Sequence, residues 1–504
     1  MNVLLVYPPN PETFWSFQHV LHLVAKRSSY PPLGLLTVAA LLPRKWVLRL
    51  VDANVRALRD EDILWADYVL ISGMIVHRAA VREIAVRCRD LGRPAIGGGP
   101  LFAPGSGTIP EIPHVVVGEA EEVMASVVAD MEQGAVRPEY RAGGRPDLSR
   151  VPIPRWDLID FRDYVTMAVQ FSRGCPFDCE FCDIVAMSGR VPRTKSAGQF
   201  VAELEALRVR GWKDMVFVVD DNFIGNRRRT RELLGAMIAW RERTGTAMGF
   251  LTEASVNLAD DPELCASMVG AGFRKVFVGI ETPSVEGLQE CQKVQNQRRD
   301  LVAAVQSLQR AGLEVMGGFI VGFDSDPVDI FRRQFEFIQR SGVVTAMVGL
   351  LTALPQTRLY QRLLREGRIE TESSGNNTGL ALNFTPRLNR EFLQSGYREL
   401  MRRLYEPREY YRRIRTFLKH HRPSAAPMRL SVREVTAFLK SLWLLGLRHR
   451  GRRSYWRLMG TALLRHPRQF RMAMEMAILG HHFRCVSAGL QGPAGSEDAP
   501  LASL

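Results

Sequence analysis

Three cysteines in the middle of the chain have a spacing that suits one metal centre. Cys175, Cys179 and Cys182 follow the pattern C-x3-C-x2-C, shortly after an apolar run that ends at Phe171. Thiolates in one short loop can bind the same cluster without help from distant residues, and Cys thiolates are the ligands that hold iron–sulfur clusters. Three thiolates would leave one iron of a four-iron cubane open. The spacing therefore predicts a cluster that binds a substrate at the metal, rather than one that only transfers electrons.

A structural zinc site is the alternative chemistry for these thiols. Such a site has four ligands, commonly in paired C-x2-C units, and we find no second Cys or His pair that would complete one. The other cysteines are scattered, which argues against a disulfide framework and for a reducing, cytoplasmic compartment. They are Cys88, Cys265, Cys291 and Cys485.

The cysteine spacing resembles the signature of the radical S-adenosylmethionine superfamily. The residue before the last cysteine is usually aromatic in that family, and here it is Phe181. The resemblance implies that the three cysteines hold a 4Fe-4S cluster whose open iron chelates S-adenosylmethionine. It also implies a reductant, such as flavodoxin or ferredoxin, and a 5'-deoxyadenosyl radical that abstracts a hydrogen atom.

The length and composition indicate an ordinary globular protein with two to four domains. The chain has 504 residues, of which 46% are hydrophobic and 24% charged, and its net charge is +14. Residues 401–485 carry 20 Lys and Arg against 4 Asp and Glu, which leaves the remainder at about −2. No window approaches the ~18 uninterrupted apolar residues of a membrane-spanning helix. The N-terminus reads as a β-strand rather than a signal peptide.

Residues 1–145 alternate short apolar runs with helical stretches, which predicts a Rossmann-like α/β domain with a parallel sheet. Ligands of such sheets bind beyond the carboxyl ends of the strands. The predicted strands are Val3–Tyr7, Val47–Val51, Tyr68–Ser72, Ala95–Gly97 and His114–Val117. The candidate cofactor-binding residues at their carboxyl ends are Asp52, Ser72, Gly97, Gly98, Gly99 and Glu119.

The order of several segments in this region resembles the cobalamin-binding class of radical enzymes, and it implies that cobalamin binds here. No D-x-H-x-x-G motif follows the first strand, and we interpret His19 and His77 as structural or surface residues. The resemblance therefore implies cobalamin without a histidine ligand. The alternative is a domain that has kept its shape and lost the cofactor. The segments are Tyr7-Pro8-Pro9, Pro31-Pro32-Leu33-Gly34-Leu35, Asp52-Ala53-Asn54-Val55, Gly97-Gly98-Gly99-Pro100 and Gly118-Glu119-Ala120-Glu121.

Residues 166–370 follow a Pro-rich linker, residues 146–165, and repeat strand and helix at steady intervals. This rhythm predicts a partial (β/α)6 TIM-like barrel with its chemistry at the carboxyl ends of the strands. The predicted strands are Thr166–Phe171, Asp214–Val219, Ala247–Glu253, Lys275–Gly279, Glu314–Val321 and Val344–Leu351.

Polar residues follow the second and third of these strands. The resemblance implies that Asp221 or Asn222 contacts the amino group of the methionine moiety, and that Glu253 and Ser255 contact the ribose hydroxyls. A carboxylate that faces an ammonium group is chemically sensible. Helix N-caps are the alternative role for these residue types.

Further turns follow the later strands. Gly279 and Glu281 lie in a G-x-E-[ST]-like turn that the resemblance places near the adenosyl group, and Gly322 follows a strand that it places against the adenine. Residues 351–360 resemble the L-T-P-x-P-G-T-x-L-Y turn of the cobalamin class, with Ala353 and Gln356 at the Pro and Gly positions. The polar stretch 375–379 is either a cover of the barrel mouth or a surface loop.

Residues 371–485 are predicted to form basic helices, and residues 486–504 a disordered tail. Arg and Lys stems over apolar faces suit a helix that rests on anionic lipid, at the inner face of a membrane. A solvated face is the alternative. Nucleic acid is electrostatically compatible, but no zinc finger, RNP-like signature or phosphate loop supports it. The predicted helices are Tyr397–Tyr405, Arg408–His421, Val432–Leu447, Tyr455–Leu464 and Gln469–Gly480.

Together these features predict a cobalamin-dependent radical enzyme that methylates an unactivated carbon of a small molecule or lipid. A branch with a similar N-terminal half acts on hopanoid-like lipids. The alternatives are radical cyclisation or oxidation, methylthiolation of tRNA, and a non-catalytic iron–sulfur redox protein. Methylthiolating relatives carry three further cysteines in the N-terminal domain, where this chain has only Cys88.

Overall fold

A computed structural model describes residues 1–103, 109–423 and 432–491. A six-stranded parallel sheet forms the N-terminal part, in the order β2-β1-β3-β4-β5-β6. Its strands are β1 Asn2–Tyr7, β2 Val47–Asp52, β3 Tyr68–Ser72, β4 Ala95–Gly98, β5 His114–Val117 and β6 Glu139–Arg141.

Both faces of this sheet are covered, because successive residues of a strand point to opposite sides. Leu4 and Val6 pack into one apolar cluster together with helix Arg78–Asp90. Val3 and Leu5 pack into the other, together with helices Leu33–Leu41 and Met124–Gln133. The helices of this part are α1 Gln18–Leu21, α2 Leu33–Leu41, α3 Asp60–Trp65, α4 Arg78–Asp90 and α5 Met124–Gln133.

A second parallel sheet of six strands forms a partial barrel in the order β14-β13-β12-β11-β10-β7, and a short antiparallel pair, β8 and β9, lies beside it. The strands are β7 Met167–Val169, β8 Ser172–Arg173, β9 Arg193–Thr194, β10 Met215–Val218, β11 Gly249–Glu253, β12 Phe273–Glu281, β13 Glu314–Val321 and β14 Ala346–Leu350. The helices are α6 Ile184–Ser188, α7 Ala197–Val209, α8 Arg227–Thr244, α9 Pro262–Ala271, α10 Val285–Glu290, α11 Leu301–Arg310, α12 Ile330–Ser341 and α13 Arg358–Arg365.

The segment between β1 and α2 packs against the barrel strands. Trp15 Nε1 donates a hydrogen bond to Met347 Sδ on β14 (2.9 Å), and the Trp15 ring lies edge-on to Phe277 on β12. The ring of Tyr30 packs against Phe217 on β10. The N-terminal chain therefore forms part of the wall of the barrel interior.

Five C-terminal helices pack against the barrel and share its apolar core. Arg413 is fully buried and donates hydrogen bonds to the carbonyls of Leu404 (3.0 Å) and Val344 (3.1 Å). Within the described residues no helix has the length and apolar content to span a bilayer. The helices are α14 Arg390–Tyr405, α15 Pro407–His420, α16 Val432–Ser441, α17 Arg452–Arg465 and α18 Phe470–Gly489, and a π-helical segment, Leu442–Arg448, continues α16.

The predicted α/β fold class is confirmed, and each of the eleven predicted strands is present with small shifts of its ends. The sequence missed β6 and the β8–β9 pair, which are three and two residues long and too short to show a periodicity. Helix α18 ends inside the predicted tail of residues 486–504, of which residues 492–504 lie outside the described part. The division into domains stays a prediction.

The packing of α18 on α15 can be tested at Gly480. A Cβ atom there would overlap the ring of Tyr410, whose hydroxyl is fixed by a hydrogen bond to the carbonyl of Met476 (2.7 Å). We expect Gly480→Ala to destabilise the protein by about 1–3 kcal/mol, the usual effect of overpacking. The matched control is Gly460→Ala in α17, where a Cβ atom meets no neighbour and alanine should stabilise by about 0.5–1 kcal/mol. Urea denaturation monitored by circular dichroism measures both, and equal midpoints would contradict this packing.

Candidate active site

The three cysteines lie in the loop between β8 and α6, beyond the carboxyl end of β7. All three are free thiols. The loop begins at Gly174 with a φ of +103°, where a Cβ atom would lie 2.8 Å from the carbonyl oxygen of Gly189. The same carbonyl accepts a hydrogen bond from the Cys175 amide (3.1 Å). The backbone therefore requires glycine immediately before the first thiol.

Two buried aspartates fix the entrance to the cysteine loop. Asp220, after β10, accepts hydrogen bonds from the amides of Phe171 (2.8 Å) and Ser172 (2.9 Å) and from the Ser172 hydroxyl (2.6 Å). Burial raises the pKa of Asp220 to about 7. Its neighbour Asp221 accepts from the amide of Gly174 (2.7 Å). The carboxyl ends of β7 and β10 are thus tied together beside the thiols.

The other end of the cysteine loop is held from the far edge of the barrel. The carbonyl of Glu180 accepts a hydrogen bond from the Leu359 amide (2.9 Å), and the Glu180 carboxylate pairs with Arg362 (2.8 Å). Both partners belong to α13. Arg362 was not among the predicted site residues, although it follows the recognised turn at residues 351–360.

Polar side chains approach the thiols from two barrel segments. Asn222 Nδ2 lies 3.8 Å from Cys175 Sγ, and Gln295 Nε2 lies 3.7 Å from Cys179 Sγ. The buried ammonium of Lys293 interacts favourably with a Cys179 thiolate. Sequence reasoning found Asn222 but missed Gln295 and Lys293, because they lie in a short helical turn with no motif.

These surroundings fit an iron–sulfur cluster. Each thiolate of a cubane binds its own iron, so the three thiols need not converge on one point. In the described part of the chain no three His, Cys, Asp or Glu side chains come close enough to hold one metal ion. Amide and ammonium groups beside the sulfurs can stabilise the negative charge of a thiolate-bound cluster.

The predicted residues after β10 and β11 come together. Asn222 Nδ2 donates to Ser255 Oγ (3.2 Å), and Ser255 Oγ donates to Asn257 Oδ1 (2.6 Å). Burial, together with the nearby charges of Asp221 and Asp220, raises the pKa of Glu253 to about 7. Asp221 and Glu253 line the same cavity. The strand ends thus form one polar patch beside the cysteine loop.

The predicted residues after β12 and β13 have local structural roles. Glu281 has a φ of +65° and pairs with Lys293 (2.6 Å), and a Cβ atom at Gly279 would overlap the Glu281 carboxylate. Gly322 has a φ of +105°, and its amide donates to Asp326 Oδ2 (2.7 Å). Gln356 takes a φ of +69°, so the turn 351–360 keeps a glycine-like conformation without glycine.

Three of the residues predicted to bind a cofactor in the N-terminal domain, Ser72, Gly99 and Glu119, line the large cavity. Gly99 has a φ of +90°, where a Cβ atom would lie 2.8 Å from Ser72 Oγ. Gly97, Gly98 and Gly99 also line a narrow hollow of about 60 Å³ behind the sheet edge. A Cβ atom at Gly97 would overlap the ring of Phe102, so packing also explains that glycine.

Asp52 and Glu119 have partners that the sequence did not predict. Asp52 is buried and accepts hydrogen bonds from the Asn54 amide (2.9 Å) and the Tyr164 hydroxyl (3.0 Å). Glu119 pairs with Arg173 and with Arg193 (2.5 Å) of the β8–β9 pair. Both strand-end acids therefore join the N-terminal part to later segments, and a role in cofactor binding stays a prediction.

The two histidines near the N-terminal sheet already have partners. His77 Nδ1 accepts a hydrogen bond from the Met74 amide (3.1 Å), and His77 Nε2 lies 2.8 Å from Asn10 Oδ1. Burial lowers the pKa of His77 to about 4. His19 pairs with Glu12 (2.8 Å). These contacts agree with the interpretation of both as structural or surface residues.

One cavity of about 2120 Å³ joins these parts of the molecule. It is lined by the edge of the N-terminal sheet, the barrel interior, the segment between β1 and α2, and the helices α16 and α18. Residues 375–378 also line it, and a Cβ atom at Gly375 would lie 2.8 Å from the Val76 amide nitrogen. This position agrees with the prediction that the loop covers the mouth of the barrel.

Comparisons with known proteins agree with this architecture. Residues 169–338 match the radical SAM superfamily, and residues 357–492 match a domain of unknown function, DUF4070. An uncharacterized methyltransferase of Synechocystis, sll1242, is 39% identical over 96% of this chain and 91% of its own length. The hopanoid C-2 methylase of Rhodopseudomonas palustris is 32% identical over 92% of this chain and 89% of its own length.

Solved structures show the same fold at low sequence identity. The radical S-adenosylmethionine methyltransferase TsrM from Kitasatospora setae, solved with cobalamin and a [4Fe-4S] cluster, has a TM-score of 0.62 and 16% identity over 94% of this chain and 98% of that one. The cobalamin-dependent radical enzyme OxsB has a TM-score of 0.60 and 14% identity over 98% and 80%. The chain belongs to the radical S-adenosylmethionine superfamily, in the group of methyltransferases that includes hopanoid C-2 methylase, and it has the fold of the cobalamin-dependent members.

Proposed function

We propose that this radical SAM methyltransferase methylates an unactivated carbon of a polycyclic, hopanoid-like lipid, with cobalamin as the methyl carrier. The observation that supports this most directly is one cavity that joins Arg173 and Asp183, at the two ends of the cysteine loop, to the edge of the N-terminal sheet and the apolar barrel interior. S-adenosylmethionine, cobalamin and the substrate must meet in such a reaction. In this proposal each of them contacts a different part of the cavity wall. A reductant such as flavodoxin or ferredoxin supplies the electrons.

Cys175, Cys179 and Cys182 hold the 4Fe-4S cluster in this proposal. Asp221 and Glu253 face S-adenosylmethionine, where a carboxylate can accept hydrogen bonds from its ammonium group. Asn222 and Ser255, which bond to each other, orient the surrounding polar patch. When bound, the cluster and S-adenosylmethionine supply the 5'-deoxyadenosyl radical, and methylcobalamin supplies the methyl group.

The N-terminal sheet edge holds the corrin in this proposal, between Ser72, Met74 and Gly99. All three residues line the cavity, and the Met74 side chain is 44% exposed. His77, the nearest histidine on this edge, has both ring nitrogens engaged. Ser72, Met74 and Gly99 would therefore hold cobalamin without the help of His77.

The lipid substrate is supported by the position of α16. On its inner side Ala437 is buried, lines the cavity and packs with Val20 and Met474. An apolar stripe with four-residue spacing lies on the outer side of α16 and of the π-helical segment that follows it. Helix α17 also has exposed apolar side chains. The stripe is Val435, Leu439, Trp443 and Leu447, and the α17 side chains are Trp456, Leu463 and Leu464.

The charge around this apolar stripe favours an anionic lipid surface. Residues 435–474 contain nine Lys and Arg and no Asp or Glu. Basic side chains beside exposed Trp and Leu are typical of helices that lie in a membrane interface. We propose that α16, the π-helical segment and α17 rest on the membrane, at its cytoplasmic face, so that the substrate is taken from the bilayer.

Loss of one thiol tests the cluster assignment. After anaerobic reconstitution and reduction, the wild type should convert S-adenosylmethionine to 5'-deoxyadenosine. Cys179→Ala should form none above background, because the cluster loses one of its three protein ligands. Cys485→Ser, at a cysteine of α18 outside the cysteine loop, is the matched control and should behave as the wild type. Chromatography of 5'-deoxyadenosine is the measurement, and an active Cys179→Ala variant would refute the assignment.

The state of the cobalt tests the corrin assignment. The reconstituted protein should bind cobalamin, and the reduced cob(II)alamin should give an electron paramagnetic resonance spectrum without nitrogen superhyperfine splitting. The physical reason is that both nitrogens of His77 are engaged. Free base-on cob(II)alamin is the reference, since its axial nitrogen splits each line. Nitrogen splitting in the protein spectrum, or no retained cobalamin, would contradict the proposal.

Removal of the apolar stripe tests the membrane contact. The double variant Leu439→Ser, Trp443→Ser should bind vesicles of phosphatidylglycerol and phosphatidylcholine at least about tenfold more weakly than the wild type, since two apolar side chains no longer leave water. Exposed valines on the barrel, Val191 and Val328, provide the matched control when both are changed to Ser. Cosedimentation measures the binding. Equal binding by both variants, or no loss of binding in high salt, would count against this surface.

A further inference from the structure

Three charged side chains meet in the cavity at the end of the barrel opposite the cysteines. Lys275 Nζ, at the start of β12, lies 2.5 Å from Glu475 Oε1 on α18 and 3.2 Å from Glu314 Oε2 at the start of β13. All three residues line the cavity. We call them the basal triad. The carboxyl ends of the strands and the cysteine loop lie at the other end of the barrel, so the basal triad is not part of the site described above.

The contacts within the basal triad do not satisfy the hydrogen-bonding capacity of the Glu314 carboxyl group. Glu314 is 1% exposed, and its Oε1 has no hydrogen-bond partner in the described part of the chain. Two carboxylates face one ammonium, and burial raises the pKa of Glu314, which favours its protonated form. A protonated carboxyl group can both donate and accept a hydrogen bond. The base of the cavity therefore holds a buried carboxyl oxygen that has no hydrogen-bond partner among the described residues.

The wall between the basal triad and the cysteine end is mainly apolar. It includes side chains from five barrel strands, namely Phe217, Leu251, Phe277, Met316 and Met347. Strand β13 runs from Glu314 to Val321, so the two ends of the barrel are roughly 23 Å apart at about 3.3 Å per residue. Such a space suits a long apolar molecule that carries a polar group at one end.

We propose that the basal triad is a substrate subsite that hydrogen-bonds a hydroxyl group at the far end of an elongated apolar substrate. A hydroxyl can accept from and donate to the Glu314 carboxyl group, and it needs no charge partner. Binding one end of the molecule at this depth fixes which carbon at the other end lies beside the cysteine loop. This inference rests on the proposed lipid substrate and adds the polar group by which the enzyme recognises it.

The test compares two probes that differ only in this group, hopan-22-ol and hopane, with the reconstituted full-length protein in detergent. Equilibrium dialysis should give the wild type about tenfold tighter binding of the alcohol, the order expected for one hydrogen bond to a buried carboxyl group. Glu314→Leu should weaken binding of the alcohol about tenfold and leave binding of the hydrocarbon unchanged. Glu314→Gln, which keeps a donor and an acceptor, should restore most of the preference.

The outcomes separate the subsite from the proposed function. Equal affinity of the wild type for both probes, or an equal loss for both in Glu314→Leu, would overturn the subsite and leave the triad as a link between α18 and the barrel. If Glu314→Leu loses its iron–sulfur absorbance, that variant is not folded correctly and is not used. The affinities of the wild type for the alcohol and for the hydrocarbon then decide the test. A preference for the alcohol without any methylated product would support the subsite and overturn the proposed methylation.

Discussion

The buried carboxylate of Asp220 is the contact on which the arrangement of the site depends most. It receives three hydrogen bonds from Phe171 and Ser172, the residues that lead into the cysteine loop. A carboxylate with three such donors is costly to move, since each donor would otherwise be buried without a partner. The loop is fixed again at Glu180 by Arg362 from the opposite edge of the barrel. The loop that carries the three thiols is thereby fixed at both of its ends by protein side chains.

The same loop region also joins the two sheets. Arg173 lies one residue before the loop begins and pairs with Glu119 and Glu121 beyond the fifth strand of the N-terminal sheet. Arg193, its neighbour on β9, pairs with Glu119 as well. These side chains are more than four-fifths buried, so solvent screens their attraction less than at an exposed surface. The distance between the sheet edge and the thiols is therefore set by ion pairs next to the chemistry.

The parts of the fold and of the site that could be predicted from the sequence are those that depend on local patterns. The strands and the position of the thiols follow from hydrophobic periodicity and from one dense motif, and those predictions needed no distant residue. Asp52 and Glu119 had the right residue types at strand ends, but their partners lie about 50 to 110 residues away. Lys293, Gln295 and Arg362 carry no motif of their own. Their roles depend on which segments the barrel brings together.

In the C-terminal helices, the net charge likewise did not predict the environments of individual arginines. Counting charges predicted one basic region, but Arg413 is fully buried over the rings of Tyr405 and Tyr410. Arg448, in contrast, lies over the ring of Trp443 in the exposed apolar stripe. A single net charge therefore describes two different environments. Helix α16 also has two different sides, because Ala437 on its inner side lines the cavity and its outer side bears the stripe. A lipid that moves from a membrane to the cavity past this helix would remain in contact with apolar side chains, so its transfer would avoid most of the cost of hydrating an apolar surface.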